Sequence, residues 1–267
     1  MHLVVCAKQI PDPETPPSAF KIDPQKNEVI PAPGIAPVLS QFDGIAAEAA
    51  LRIKEKAGDT KVTVISMGAE SAQQAIKQVL AMGADEGVLL NDPAFEKGDP
   101  HTTATVLAAA IKKLGHVDAV FCGRQAADWD WGEVGILIAE HMNWPVAIIA
   151  KGVELQDGKF RVQRVLEDGF QTVDVPMPSV ITVSNEFGEP RYPKLQQIMQ
   201  AARKTVTSWK SGDLGVDAGA VGAAGARLKL ERLYIPEKEG KAEIMDAETP
   251  ADQAKQLVEK LKAAKIL

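Results

Sequence analysis

With 45% apolar and 25% charged side chains over 267 residues, the chain has the composition of a folded, water-soluble protein large enough to bury a sizeable core. Its formal charge of −6 excludes the concentrated basic face with which nucleic-acid binders neutralise phosphates. The opening MHLVVCAKQIPDP has an apolar core that stops after six residues, before Lys8 and Pro11. That is too short for a secretory segment or a membrane span, so no membrane insertion is expected and the cytoplasm is the expected compartment.

In chain order, residues 2–7 read as a short β-rich run, followed by a proline-rich stretch to Gly34 that cannot sustain a helix and must be an ordered loop or hairpin. From Phe42 to Ala57, Ile45, Ala49 and Ile53 recur at helical spacing, and KVTVIS at 61–66 reads as a buried strand. The alternation continues with a helix around 71–82, a strand at 86–90, a helix at 102–114, a strand at 117–122, a helix at 133–142 and a strand at 146–150. Strands alternating with helices of this length predict parallel strands with helices on both faces of the sheet, a Rossmann-like α/β architecture.

Beyond residue 150 the pattern shortens. VELQDGKFRVQRV, FQTVDV and PSVITVS, with a DG turn in the first, predict appended antiparallel strands over about 151–184. Residues 188–204 read as a proline-broken loop ending in a short helix, 205–248 as an extended arm, and 250–264 as a helix with Ala254, Leu257, Val258 and Leu261 on one face. The expected division is therefore 1–204 for the Rossmann-like domain and 205–267 for a C-terminal arm and helix.

In open parallel sheets, ligands bind beyond the carboxyl ends of the strands, where strand order reverses. The loops after 2–7, 61–66 and 117–122 meet that rule, and CGRQAADWDWGEVG at 122–135 is the most informative. Its small residues let backbone approach a ligand, and the helix starting near Gly132 offers N–H groups to an anion. The competing reading makes Asp128 and Asp130 helix caps and Trp129 and Trp131 surface packing. No GxGxxG or P-loop pattern is present, and the histidines and cysteines show no HxxxH or CxxC spacing. Cys6 and Cys122 sit in apolar strand-like runs and read as buried free thiols. No Ser–His–acid set or isolated carboxylate pair defines a catalytic centre.

Read together, LVVCAKQIPD, AAEAALRIKEK at 46–56, ISMGAESAQQAIKQVLAMGADEGVLL at 65–90, GRQAADWD at 123–130, VQRVLEDGFQTVDVPMPSVIT at 162–182, EPRYPKLQQIM at 189–199 and GDLGVD at 212–217 resemble the β-subunit family of electron transfer flavoproteins. Val162, Arg164, Asp168, Gly169, Gln171, Val173, Pro178 and Thr182 carry the signature, whose turn and strand residues point to a structural job. The resemblance implies an α-type partner subunit that holds the redox FAD and is embraced by the C-terminal arm. It also implies an adenine nucleotide, AMP or a second FAD, in this subunit.

The matching ligand-site residues are Cys6, Ser40, Gln41, Phe42, Asp43, Met67, and the run Gly123, Arg124, Gln125, Ala126, Ala127, Asp128, Trp129, Asp130, Trp131, Gly132, Glu133 and Val134. The family commonly has Asn-Pro where this chain has Ser40–Gln41, and small or amide residues where it has Trp131, Gly132 and Glu133. A carboxylate beside a phosphate repels it, so Glu133 turns away, pairs with Arg124, or the ligand sits differently. Tyr192 and Leu195, within a docking loop at 188–200, are implied to meet an acyl-CoA dehydrogenase-type flavoenzyme, and the proline-rich loop near Pro13 to approach the α-subunit flavin. Two further readings stay open: an electron-bifurcating subunit oxidising NADH at its own FAD, and a stand-alone adenine-nucleotide-binding or hydrolysing protein.

Overall fold

The computed structural model describes residues 1–236 and 242–267. A nine-stranded sheet runs in the order β11-β10-β9-β12-β8-β1-β6-β7-β13. Its strands are β1 (His2–Cys6), β6 (Lys61–Met67), β7 (Glu86–Leu90), β8 (Ala119–Gly123), β9 (Val146–Gln156), β10 (Lys159–Leu166), β11 (Gly169–Pro176), β12 (Ser179–Val183) and β13 (Val206–Trp209). Two short antiparallel pairs, β2 (Gln9–Ile10) with β5 (Val38–Leu39) and β3 (Lys21–Asp23) with β4 (Glu28–Ile30), order the proline-rich stretch. The centre of the sheet is parallel: β1 pairs with β6 on one side and β8 on the other.

Alternation along the strands divides the core in two. Leu3, Val5 and Ala7 face a layer that includes α1 (Gln41–Ala57) and α2 (Gln73–Met82), while Val4 and Cys6 face the layer of α3 (Pro100–Leu114) and α4 (Val134–Met142). The helices stop where the sequence supplies glycine with positive φ: Gly58 after α1, Gly83 after α2 and Gly115 after α3. Asp99 opens α3 with a capping box, its carboxylate accepting from Thr102 N at 2.9 Å.

Two expectations change. Ser179–Val183 does not belong to the antiparallel flange; it lies parallel between β8 and β9, in register from Ser179 against Ala119. All five of its residues are buried, so its β-branched run VITV reflects burial on both faces, a pattern that short-segment periodicity does not separate from a hairpin strand. Second, the arm expected from residue 205 begins with an edge strand, β13, which pairs parallel with β7 from Val206 against Gly87.

The flange itself is β9–β10–β11, and the signature stretch serves it. β9 changes partners along its length, parallel to β12 at Val146 and antiparallel to β10 beyond it. At the change Ile149 takes φ 57°, an unusual conformation for a β-branched residue. Its N–H is taken up at 3.0 Å by the side-chain hydroxyl of Thr182, on the neighbouring strand β12. Arg164 reaches Ile148 O at 3.4 Å and Gln171 Oε1 at 3.3 Å. Thr182, Arg164 and Gln171 therefore stabilise a bulge, and the signature marks fold.

The segment expected over 188–204 to be a loop ending in a helix is an irregular stretch that leads into α5 (Leu195–Arg203); two short helical turns follow, α6 (Ser211–Leu214) and α7 (Gly222–Gly225), and the last helix is α8 (Pro250–Ala263). No residue of α8 is buried, with Leu257 and Val258 46% and 41% exposed. The apolar stripe of this helix is therefore not buried in the core. No helix among the described residues is long and apolar enough to cross a membrane.

Candidate functional site

Strand order reverses at β1, because β6 and β7 follow on one side and β8 lies on the other. Cys6, Met67 and Gly123 end the adjacent strands β1, β6 and β8, so the structure brings these three sequence-predicted positions to one rim. The start of α1 closes over it. Asp43, in the first turn of α1, accepts Lys8 N–H at 2.8 Å on Oδ2 and Gly123 N–H at 3.0 Å on Oδ1. A Cβ on Gly123 would stand 2.6 Å from Asp43 Oδ1 and 2.7 Å from Phe42 Cβ, so glycine is what lets β8 approach the helix.

Burial pushes the Asp43 carboxyl up to about 7, against the pull of the two N–H donors. Beneath it, the Cys122 thiol is pushed up by its hydrogen bond with Cys6 and by burial, as expected of inert core thiols.

The loop from Gly123 to Glu133 is held from within. Asp130, at φ 56°, donates its N–H to Ala126 O at 2.8 Å, and Ala126 N–H reaches Trp131 O at 3.0 Å. Neither aspartate caps the helix, contrary to the simpler reading. Asp128 instead takes both bonds of Lys8 Nζ, at 2.7 and 2.8 Å, and Asp130 accepts from Gln125 Nε2 at 2.7 Å. Glu133 occupies the N-cap position of α4 with no side-chain cap and is exposed. Of the three arrangements open to Glu133, pairing with Arg124 is not the one found. Arg124 reaches Gln125, Ser184 and Asn185, with its guanidinium 5.5 Å from the centre of the Phe42 ring. Trp129 and Trp131 lie against each other, ring centres 5.4 Å apart.

Beside the N-terminus of α1 is a cavity of about 520 Å³, a size that holds a small ligand. Ser40, Gln41, Phe42 and Arg124 line it, joined by Gln78, Asn185, Glu189 and Pro190, which sequence reasoning did not connect to the site. Nothing local in the sequence signals Gln78, which comes from α2. Lys8 was also missed, although it follows directly on the first strand. Ser40 is wholly buried and its hydroxyl has no partner. In the loop after 61–66, MGAES, the polar groups are bonded within the protein: Ser71 Oγ donates to Gln9 Oε1 at 2.7 Å and Gly68 O accepts from Asn91.

The docking loop is displayed rather than packed. Tyr192 is 95% exposed and Leu195 73%, so Leu195 is not a core leucine at a helix start. Between these two and α1, Arg191 donates to Glu48 at 2.7 Å and pairs with Glu55, while Arg52 bonds Glu48 from the other side at 2.7 Å. Burial would raise the Glu48 carboxyl, but the bonds from Arg191 and Arg52 hold it below the ordinary carboxylate range.

Comparison with known proteins agrees with this architecture. The electron transfer flavoprotein domain family matches residues 34–214. A relative named caffeyl-CoA reductase-Etf complex subunit CarD, from Acetobacterium woodii, is 37% identical and covers 100% of both chains. An electron transfer flavoprotein subunit beta from Clostridium acetobutylicum is 38% identical over 98% of both, and one from Thermoanaerobacterium thermosaccharolyticum is 38% identical over 100% of both. The chain belongs to the electron transfer flavoprotein family and is similar over its whole length to the β subunits.

Proposed function

We propose that this chain is the β-type subunit of a heterodimeric electron carrier. In this reading a companion α-type subunit holds the redox FAD, an acyl-CoA dehydrogenase-type flavoenzyme supplies electrons, and the present chain contributes the base, the docking loop and an adenine-nucleotide site in the cytoplasm. The observation that carries the partnership is the exposure of large apolar side chains along the C-terminal region. Leu228, Tyr234, Ile235, Ile244, Leu257 and Ile266 are each more than 45% exposed. A protein acting alone rarely leaves such a series uncovered, which supports an arm that packs on a second subunit.

The adenine-nucleotide reading draws support from the cavity beside the N-terminus of α1, lined by Ser40, Gln41, Phe42 and Arg124. The site residues fit an anionic ligand at the α1 end. At the α4 end, Glu133 and Trp131 stand where a phosphate cradle needs small or amide groups. No part of this reading requires a catalytic residue in the chain.

The deciding experiment is to purify the protein from its source and identify what is released on denaturation. One FAD and one AMP per complex is the expected result. Two FAD would make this the bifurcating type, with NADH oxidised at a flavin in this subunit. A monomer that hydrolyses ATP without flavin would overturn the carrier reading.

A further inference from the structure

We infer that Lys77 and Lys204 are positioning residues for α5: each reaches from one helical segment to main-chain carbonyls at the end of the other, and together they set the direction in which Leu195 is presented to the electron donor. The inference rests on the docking reading above and names what holds the docking element still.

The apolar face of α5 lies open to solvent. Leu195, Ile198 and Met199 stand three and four residues apart, so they share one side of the helix, and they are 73%, 47% and 53% exposed. Only Ala201 of the nine residues in α5 is buried. One alanine buries too little apolar surface to fix a helix on the body of a protein, because that stabilisation scales with area.

Polar bonds at its two ends hold it instead. Ahead of the helix, Arg191 is tied to Glu48 and Glu55 on α1. At the other end, the last carbonyls of an α-helix have no partner within it. Lys77, from the middle of α2, serves them: its Nζ donates to Ala201 O at 3.0 Å, to Ala202 O at 3.1 Å and to Lys204 O. An ammonium has three donors and all are used, and its charge lies where the dipole of α5 is negative. Lys204, directly after α5, returns the contact. Its Nζ donates to Ala84 O at 2.8 Å and to Asp85 O at 3.1 Å, just beyond the end of α2. Lys54 from α1 steadies that same turn, donating to Gly83 O at 3.2 Å and to Asp85 Oδ1 at 2.6 Å.

Among the described residues, every hydrogen bond of the Lys77 and Lys204 ammonium groups goes to a main-chain carbonyl. Removing Lys77 leaves three of those carbonyls to water and frays the last turn of α5. Because β13 keeps the following chain on the sheet, the helix stays attached and the effect falls on its direction. The face carrying Leu195 then samples several tilts and docks from only some of them, which weakens the encounter in proportion.

The test uses the complex of this chain with its α-type companion, and an acyl-CoA dehydrogenase from the same source reduced by its acyl-CoA substrate. Lys77→Met is expected to raise the KM for the complex by about threefold or more, the scale of one helix-terminal cation, with kcat held within about twofold. Reduction of the complex by dithionite, which needs no docking, is expected to keep its rate. Lys77→Arg, which keeps the charge and several donors, should recover about half of the loss or more. Combined with Leu195→Ala, Lys77→Met should add less than the product of the separate losses, because both act on one contact. Should the Lys77→Met complex fail to assemble, Lys204→Met, at an exposed residue, is read in the same way. A KM within about 1.5-fold of the unaltered complex, full multiplication of the two losses, or an equal slowing of dithionite reduction would overturn the inference. An unchanged KM for Leu195→Ala would instead remove the docking reading itself.

Discussion

The loops that follow β8 and β12 leave neighbouring strands at the same edge of the sheet, yet they are built in opposite ways. The first, residues 123–133, ties its polar groups to one another and to neighbouring elements: Asp43 accepts from Gly123, Lys8 pairs with Asp128, and Gln125 bonds Asp130. The second, residues 184–194, sinks one arginine into a carboxylate pair on α1 and holds Tyr192 and Leu195 out in solvent. The first contributes Arg124 to the cavity beside α1, and the second contributes Asn185, Glu189 and Pro190. The second is a rigid stem carrying an apolar tip, as suits a surface recognised by something large, where a few well-placed side chains carry most of the binding energy.

Breaking the stem should have the largest effect. Arg191→Met leaves Glu48, 4% exposed, with only Arg52 for company, and a stability loss of about 3 kcal/mol is expected because a buried carboxylate loses half its compensation. The urea midpoint reads it. If the loss is under about 0.5 kcal/mol, as for an ordinary surface pair, Arg191 is not a structural anchor.

Gly123→Ala attacks the first loop. Its new methyl would sit 2.6 Å from Asp43 Oδ1 and 2.9 Å from Phe42 backbone carbon, against atoms that cannot swing away. Overpacking of this kind costs about 1–3 kcal/mol, with a matching drop in thermal midpoint.

Acid titration separates the two loops by sign. Asp43 is raised in the folded protein, so the native state holds more protons than the unfolded chain between an ordinary aspartate value of about 4 and its own value of about 7. Its contribution to stability is greatest below that window and falls as pH rises through it. Glu48 is lowered, so its contribution is present above the ordinary glutamate range and lost as pH falls through its depressed value. Asp43→Asn should lower the plateau, because one N–H loses its acceptor, and flatten the slope between about pH 4 and 7. An unchanged slope in urea midpoints measured across that range would remove Asp43 as its source.

The smallest effect on stability, within about 0.5 kcal/mol, is expected for Leu195→Ala, since the side chain is 73% exposed. Here the sensitive readout is functional: electron exchange with the donor flavoenzyme slows while flavin content stays constant. Loss of flavin would show the leucine to be structural.

Most of the parallel core was legible because each strand and helix carries its period locally: KVTVIS and Phe42–Ala57 fall on β6 and α1 with boundaries shifted by one residue. Ser179–Val183 was misread because the β-rich pentad SVITV says that it is a strand but not what lies beside it. The rim residues Cys6, Asp43, Met67 and Gly123 were reached through family resemblance, and physics alone gave only the loops that hold them. Gln78, Asn185 and Lys8 were out of reach because each acts across a contact between elements far apart in sequence, as Lys8 does with Asp128 at a separation of 120 residues. The orphaned Ser40 hydroxyl is a property of packing and leaves no mark in sequence.

One side chain at the far end of the proline-rich stretch ties the two ends of the chain together. Asn27, in the turn between β3 and β4, donates to Glu231 O at 3.1 Å and accepts Leu233 N–H at 2.9 Å, a separation of 206 residues in the latter bond. Arm and hairpin therefore share one local equilibrium: whatever draws the arm onto a companion chain also orders the hairpin, and whatever frays the hairpin loosens the arm. Amide exchange at Val29 and Leu233 should consequently slow together on assembly, making residues near the N-terminus a reporter for an event at the C-terminus.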